Sequence, residues 1–224
     1  MCNEDCFIFY TVIYKINLSI AVLIMKLIES PLALSDALLI AKGRHRACYQ
    51  HPDHPELCIK VHLDPYDDLE TIREVRYFKW LHRRKVNLKG IADYRGKYPT
   101  TLGMGYVYEL VRDYDGQVSK TLDHYLKNFE LTEPRINALT SAYQEFKQTF
   151  QRHYISMMNL KAYNIVYKRE SESYGRFYLI DNLGSANLLP LSYFFTSIAT
   201  RTLQRKFMRF ESLVRERYHF SINS

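Results

Sequence analysis

The chain has 224 residues, 47% of them hydrophobic, with only 8 glycines and 7 prolines and a formal charge of +7. Such a length buries one sizeable core, in one domain or in two lobes of one domain, and the composition excludes a disordered chain or a repeat solenoid. The positive balance favours a polyanionic partner in general, but most of the excess is local: Arg201, Arg205, Lys206, Arg209, Arg215 and Arg217 face only Glu211 and Glu216.

Taken from the start, residues 7–25 form an apolar run of nearly bilayer-spanning length, interrupted by Lys15, Asn17 and Ser19. Glu4 and Asp5 precede it and no small-residue cleavage site follows, so a secretory signal is not expected. Three readings stand for residues 1–24: a weak membrane anchor, an amphipathic extension packed on the domain, or sequence upstream of a true start at Met25, the last being favoured. The four cysteines, Cys2, Cys6, Cys48 and Cys58, form no C-x-x-C pair and have no histidine at zinc-ligand spacing. Structural thiols in a reducing cytoplasm are therefore expected.

Three short strands are predicted at residues 37–41, 47–50 and 57–63, separated by Gly43 and by the turn His51-Pro-Asp-His-Pro-Glu56. A helix follows over 69–84, with no glycine or proline inside it. Two more strands are predicted at 91–97 and 106–111, joined across Pro99 and Gly103-Met-Gly105. After Asp115-Gly116 the alternation gives way to helical periodicity, first around Leu122 to Phe129 and then over 136–150. This change of period divides the chain into lobes of 25–112 and 113–224 with a cleft between them. Within the second half, 164–167 and 176–180 read as a hairpin, and a last helix is predicted over 191–217.

Lys60 stands inside the apolar string Leu57-Cys-Ile-Lys-Val61, where an amine is costly without an anionic partner. Glu74, in the middle of the following helix, is the candidate partner; the alternative is an edge-strand lysine turned to solvent. Further on, Asn164 and Asp181 fall at the two mouths of the predicted hairpin, where an amide oxygen and a carboxylate can share one hard cation. Each read alone is more readily a turn residue, Asn164 as a cap and Asp181 as the start of an Asx-turn.

The order of a strand lysine, a helix glutamate, Leu160-Lys161-Ala-Tyr-Asn164 and then an aspartate after a strand resembles the protein-kinase-like superfamily. More closely, Gly43-Arg-His-Arg-Ala-Cys-Tyr49, Cys58-Ile-Lys60, Gly105-Tyr-Val-Tyr108, residues 159–165 and Asp181-Asn-Leu-Gly184 resemble the YrbL family, bacterial proteins named for the PhoP regulatory network. The resemblance spans about residues 35–212. It implies an α+β fold of two lobes, with a five-stranded antiparallel sheet and one helix in the first and a reduced helical second. It also implies a cleft for ATP and Mg²⁺. Lys60 would then contact the phosphates, with Gly43, Arg44 and Arg46 in the loop above them and Glu74 orienting the lysine. The segment Tyr108-Glu109-Leu110-Val111 would offer backbone groups to adenine, and Asn164 and Asp181 would hold the metal.

Three departures qualify that implication. Met157-Met-Asn159 replaces His-Arg-Asp, so the residue that would accept a hydroxyl proton is an amide without a basic lone pair. Lys161 and bound metal are left as the remaining catalytic candidates beside Lys60 and Asn159. In the phosphate loop, Ala41-Lys-Gly43-Arg-His-Arg46 keeps only the middle of three glycines, and Arg44, His45 and Arg46 either touch phosphate or are solvated. Few residues follow Asp181, so a substrate platform is expected to be minimal or built differently. The expectation is a phosphotransferase acting on a protein, a small molecule or an envelope sugar, or else a pseudokinase that binds nucleotide as a regulatory module. A nucleic-acid partner is disfavoured for want of a recognition motif. The arginines of the last helix are expected to be solvated opposite its packed face, with a membrane surface as the lesser reading.

Overall fold

A computed structural model of the chain describes residues 31–64, 68–185 and 191–223. The apolar run at 7–25 lies outside them. The fold is α+β. Strands β1 (Leu39–Lys42), β2 (Arg46–Gln50), β3 (Leu57–His62), β4 (Tyr94–Thr100) and β5 (Gly103–Glu109) form one antiparallel sheet in the order β1-β2-β3-β5-β4.

Successive side chains on a strand point to opposite faces, and this pleat sorts the sheet. Ala47, Tyr49, Ile59, Val61 and Val107 make one buried face together with Leu34. Cys58, Tyr106 and Tyr108 lie on the other face, within the main core. Lys60, two residues from Cys58 and paired with Cys48 and Tyr106, shares that second face. Helix α1 (Leu69–Arg83) covers it, burying Glu74, Tyr77, Phe78 and Leu81, which recur at i, i+3, i+4 and i+7 and so form one stripe. Glu74 is therefore carried into the core by the same periodicity that buries its apolar neighbours.

β4 begins three residues later than the alternation suggested, because Ile91 is drawn into a parallel bridge with Leu179 from the second half. Pro99 sits within β4, which the strand order places at the sheet's edge, where a missing N–H costs no ladder bond.

The second half contains α2 (Leu122–Asn128), α3 (Glu133–Arg152) and α4 (Thr196–Tyr218), with a small antiparallel sheet of β6 (Lys120–Thr121), β7 (Ile165–Arg169) and β8 (Gly175–Leu179). Thr121 caps α2 by accepting from His124 N at 3.2 Å. Helix α4 starts at Thr196 rather than at 191, since Leu191–Tyr193 forms a separate 3-10 turn whose Tyr193 ring packs 4.4 Å from that of Tyr77. Leu203, Phe207, Phe210 and Val214 pack inward from α4, and Arg201, Arg205 and Arg209 are exposed, as the periodicity implied. No helix among the described residues is long and apolar enough to cross a membrane.

Three contacts tie the halves together at the end of β8. Leu179 N donates to Gly90 O at 2.8 Å, Ala92 N donates to Leu179 O at 3.0 Å, and Ile91 bridges Leu179. Gly90 has φ +83°, and a Cβ there would stand 3.2 Å from Phe177 O, so this close approach requires glycine. The chain leaving β8 is thus pinned under the five-stranded sheet, which sets where Asp181 can lie.

Candidate functional site

Lys60 is 9% exposed, and its ammonium sits where sheet, helix and hairpin meet. It donates to Ile180 O at 2.5 Å, lies 3.8 Å from Asp181 Oδ1 and stands 4.4 Å from the centre of the Tyr108 ring. Glu74 is 2% exposed and is held by Tyr108 OH at 2.9 Å and by Leu183 N at 3.1 Å. Among the described residues Glu74 makes no ion pair with Lys60. Its cationic neighbour is Arg46, 3.9 Å away. The lysine expected to pair with the helix carboxylate is paired instead with the aspartate after β8.

Arg46 decides the character of the site. It opens β2 on the same face as Lys60, and its Nη2 reaches both Asp181 oxygens at 2.5 Å. Nη1 donates to Thr71 Oγ1 at 3.1 Å. Charge-assisted contact of one guanidinium with both oxygens of a carboxylate is among the stronger polar contacts available to a protein. Two cations and two carboxylates thus meet in one largely buried cluster, and their formal charges cancel.

These groups shift one another. Burial pushes the Asp181 carboxyl up, yet Lys60 and Arg46 outweigh it and hold the group below the ordinary aspartate range. Burial likewise works against the Arg46 charge, and Asp181 and Glu74 overcome it to hold the guanidinium above its usual value. The Glu74 carboxyl is raised, first by burial and then by Asp181, despite both cations. Burial, then Glu74, drives the Tyr108 phenol well above 10.

Asn164 lies at the same hairpin mouth, its carbonyl accepting from Ile180 N at 2.9 Å. The side chain is 4% exposed and makes no hydrogen bond among the described residues, and Nδ2 is buried without a partner. An amide can present either atom, so Asn164 alone suits a cation or an anion. Asp181 is different, because both oxygens already accept from Arg46. As a pair, Asn164 and Asp181 do not fit Mg²⁺ as they stand.

The other expected residues are scattered. Arg44 is exposed, and Gly43 N closes the turn onto Arg46 O at 2.8 Å. Asn159 is exposed, and so is Lys161, whose ammonium stands 5.3 Å over the Tyr163 ring. The Glu109 side chain turns to Arg95, while its carbonyl accepts the Cys58 thiol at 3.8 Å. Val111 O accepts from Ser119 N at 3.0 Å, and the Val111 N–H makes no hydrogen bond among the described residues. A cavity of about 1000 Å³ touches Glu109 and Val111 but none of Lys60, Arg46, Glu74, Asn164 and Asp181. Sequence reasoning missed Thr71 and the side chain of Tyr108. For Tyr108 the signal was available, since it pairs in register with Cys58 and so faces the same way as Lys60.

Residues 32–215 match the family model described as PhoP regulatory network protein YrbL. The YrbL proteins of Escherichia coli (strain K12) and Shigella flexneri are each 35% identical to the chain over 179 residues, which is 79% of this chain and 85% of theirs. The whole site lies within residues 32–215, and the chain belongs to the YrbL family of PhoP regulatory network proteins.

Proposed function

We infer that the chain is a kinase-like nucleotide-binding protein, serving as a regulatory module in a PhoP-type bacterial network, with ATP in the crevice beside Lys60. The observation that carries this reading is the buried ammonium of Lys60, 3.8 Å from Asp181 although the two come from opposite halves of the chain. A lysine buried in a strand and turned on a loop carboxylate is poised to exchange that carboxylate for phosphate oxygens. Lys60 would bind the phosphates, and the free N–H of Val111 with the carbonyl of Glu109 would meet the edge of the base. Cys48 and Cys58, on the same sheet face, would lie under the ring.

Binding is favoured over transfer by the loop at 157–159. Met157 and Met158 are buried and Asn159 is exposed without a partner among the described residues, so this loop offers no base to take a proton from an acceptor hydroxyl. Transfer is the second reading. It draws on the exposed Lys161 beside that loop, because loose phosphoryl-transfer transition states depend mainly on positioning and charge. Its acceptor would be a protein, a small molecule or an envelope sugar.

At ATP concentrations of about 100 times Kd, ligand linkage adds about 2.7 kcal/mol, which for a chain of this size raises Tm by roughly 5–10 °C. Wild-type protein is expected to show that rise and Lys60→Met to lose most of it. An unchanged Tm in wild type, or an equal rise in Lys60→Met, overturns the nucleotide reading. Release of labelled γ-phosphate by wild type but not by Lys60→Met would replace the regulatory reading with the enzymatic one.

A further inference from the structure

The geometry points to a crevice that binds nucleotide phosphate without a divalent ion, the guanidinium of Arg46 acting as the cation at Asp181. This rests on the nucleotide reading above and sharpens it. Arg46 is fixed from three sides: by both oxygens of Asp181 at 2.5 Å, by Thr71 Oγ1 at 3.1 Å and by Glu74 at 3.9 Å. It is also largely shielded, its side chain being 16% exposed. A solvated turn arginine would have none of these contacts.

Electrostatics decides what can join this group. Mg²⁺ takes oxygen ligands at about 2.1 Å in near-octahedral geometry and sheds its waters reluctantly. Bound to Asp181, it would stand beside a guanidinium nitrogen that is itself 2.5 Å from the same oxygens, with Lys60 also within 3.8 Å of one of them. Like charges that close repel strongly in a half-buried site. Arg46 would have to leave, giving up Thr71 and Glu74 as well. A polyphosphate meets the opposite situation. The crevice holds two fixed cations whose charge is now balanced by Glu74 and Asp181, and their unused N–H groups can take phosphate oxygens with no metal between. The Asn164 amide, buried at the same hairpin mouth with Nδ2 unpartnered, can present that donor to a phosphate oxygen with no metal between.

The test uses ATP as the probe, titrated calorimetrically into the full chain in EDTA and, separately, in excess Mg²⁺. For wild type the two dissociation constants are expected to agree within about threefold. In Arg46→Gly, which removes the guanidinium, ATP in EDTA is expected to bind at least about tenfold more weakly, a loss of about 1.4 kcal/mol, and Mg²⁺ to restore part of it. In Asp181→Asn, which removes the counter-charge shared by both cations, ATP is expected to bind as tightly as in wild type or more so in both buffers; weaker binding than wild type in excess Mg²⁺ would mark Asp181 as a metal ligand and overturn the inference. Binding by wild type only in Mg²⁺ overturns this inference and leaves the nucleotide reading standing. Equal binding by Arg46→Gly and wild type in EDTA also overturns it. No binding by wild type in either buffer removes both. The comparison of wild type in the two buffers decides the matter even if a variant fails to fold.

Discussion

Lys206, half-buried on α4, bears on the site from outside it, through the loop at 157–159. Its ammonium reaches from α4 to donate to Met157 O and, at 2.7 Å, to Met158 O, fixing the loop that ends at Asn159. Burial, then Arg205, lowers its pKa from 10.5 to about 8. The unfolded chain therefore holds more protons at this position than the folded chain between those values, and stability rises with pH across that window. Urea midpoints are expected to climb from pH 8 toward pH 10 in wild type and to climb less in Lys206→Met; parallel pH profiles would refute the assignment. At this scale the sequence was legible where a charged residue sits inside an apolar string, as Lys60 does. It was not legible for Arg46, because Arg44-His-Arg46 reads equally as a solvated turn. What turns Arg46 inward is the register of β2 on β3, which puts it on the face of Cys48 and Lys60.

Among the elements, α1 does the most to assemble the crevice, and it does so with one stripe. Glu74 takes Leu183 N on the loop after β8, and one turn later Tyr77 OH accepts from Ser156 N at 2.8 Å on the loop after α3. Gly184 packs against the same tyrosine: its φ is +99°, and a Cβ there would approach Tyr77 Cβ to 3.2 Å. Tyr77→Phe keeps the ring and removes the acceptor, leaving a buried N–H unpaired at a cost of about 1–3 kcal/mol. Equilibrium urea unfolding should register that loss with an unchanged m-value; a difference within about 0.5 kcal/mol of wild type would mean the α1 clasp is not made in solution. The helix itself was evident from its spacing, to within a residue. Its partners were not, since nothing in local periodicity says that Ser156 and Leu183 fold back onto it. The same limit explains β4, where alternation from Ile91 was read as one strand although a parallel bridge to Leu179 separates Ile91 from it.

For the whole molecule, the individual strands followed from turn residues and alternation in the first half and the helices from spacing in the second, and their assembly into an α+β fold with one five-stranded antiparallel sheet followed from the family resemblance. The division of labour between charges did not. Composition alone suggested a basic protein seeking an anion, with its arginines concentrated on α4, yet those arginines are exposed while the crevice draws on Arg46 and Lys60. A short-range reading counts charges but cannot see which of them are paired across halves that only tertiary contacts bring together. On the nucleotide reading, these paired groups open to receive ATP. A crystal structure grown with ATP is the decisive measurement: phosphate oxygens are expected within hydrogen-bonding distance of Lys60 Nζ and of the Arg46 guanidinium, between α1 and the loop at Asp181. Nucleotide bound away from Lys60 and Arg46, or Lys60 turned to bulk solvent with ATP present, would contradict it.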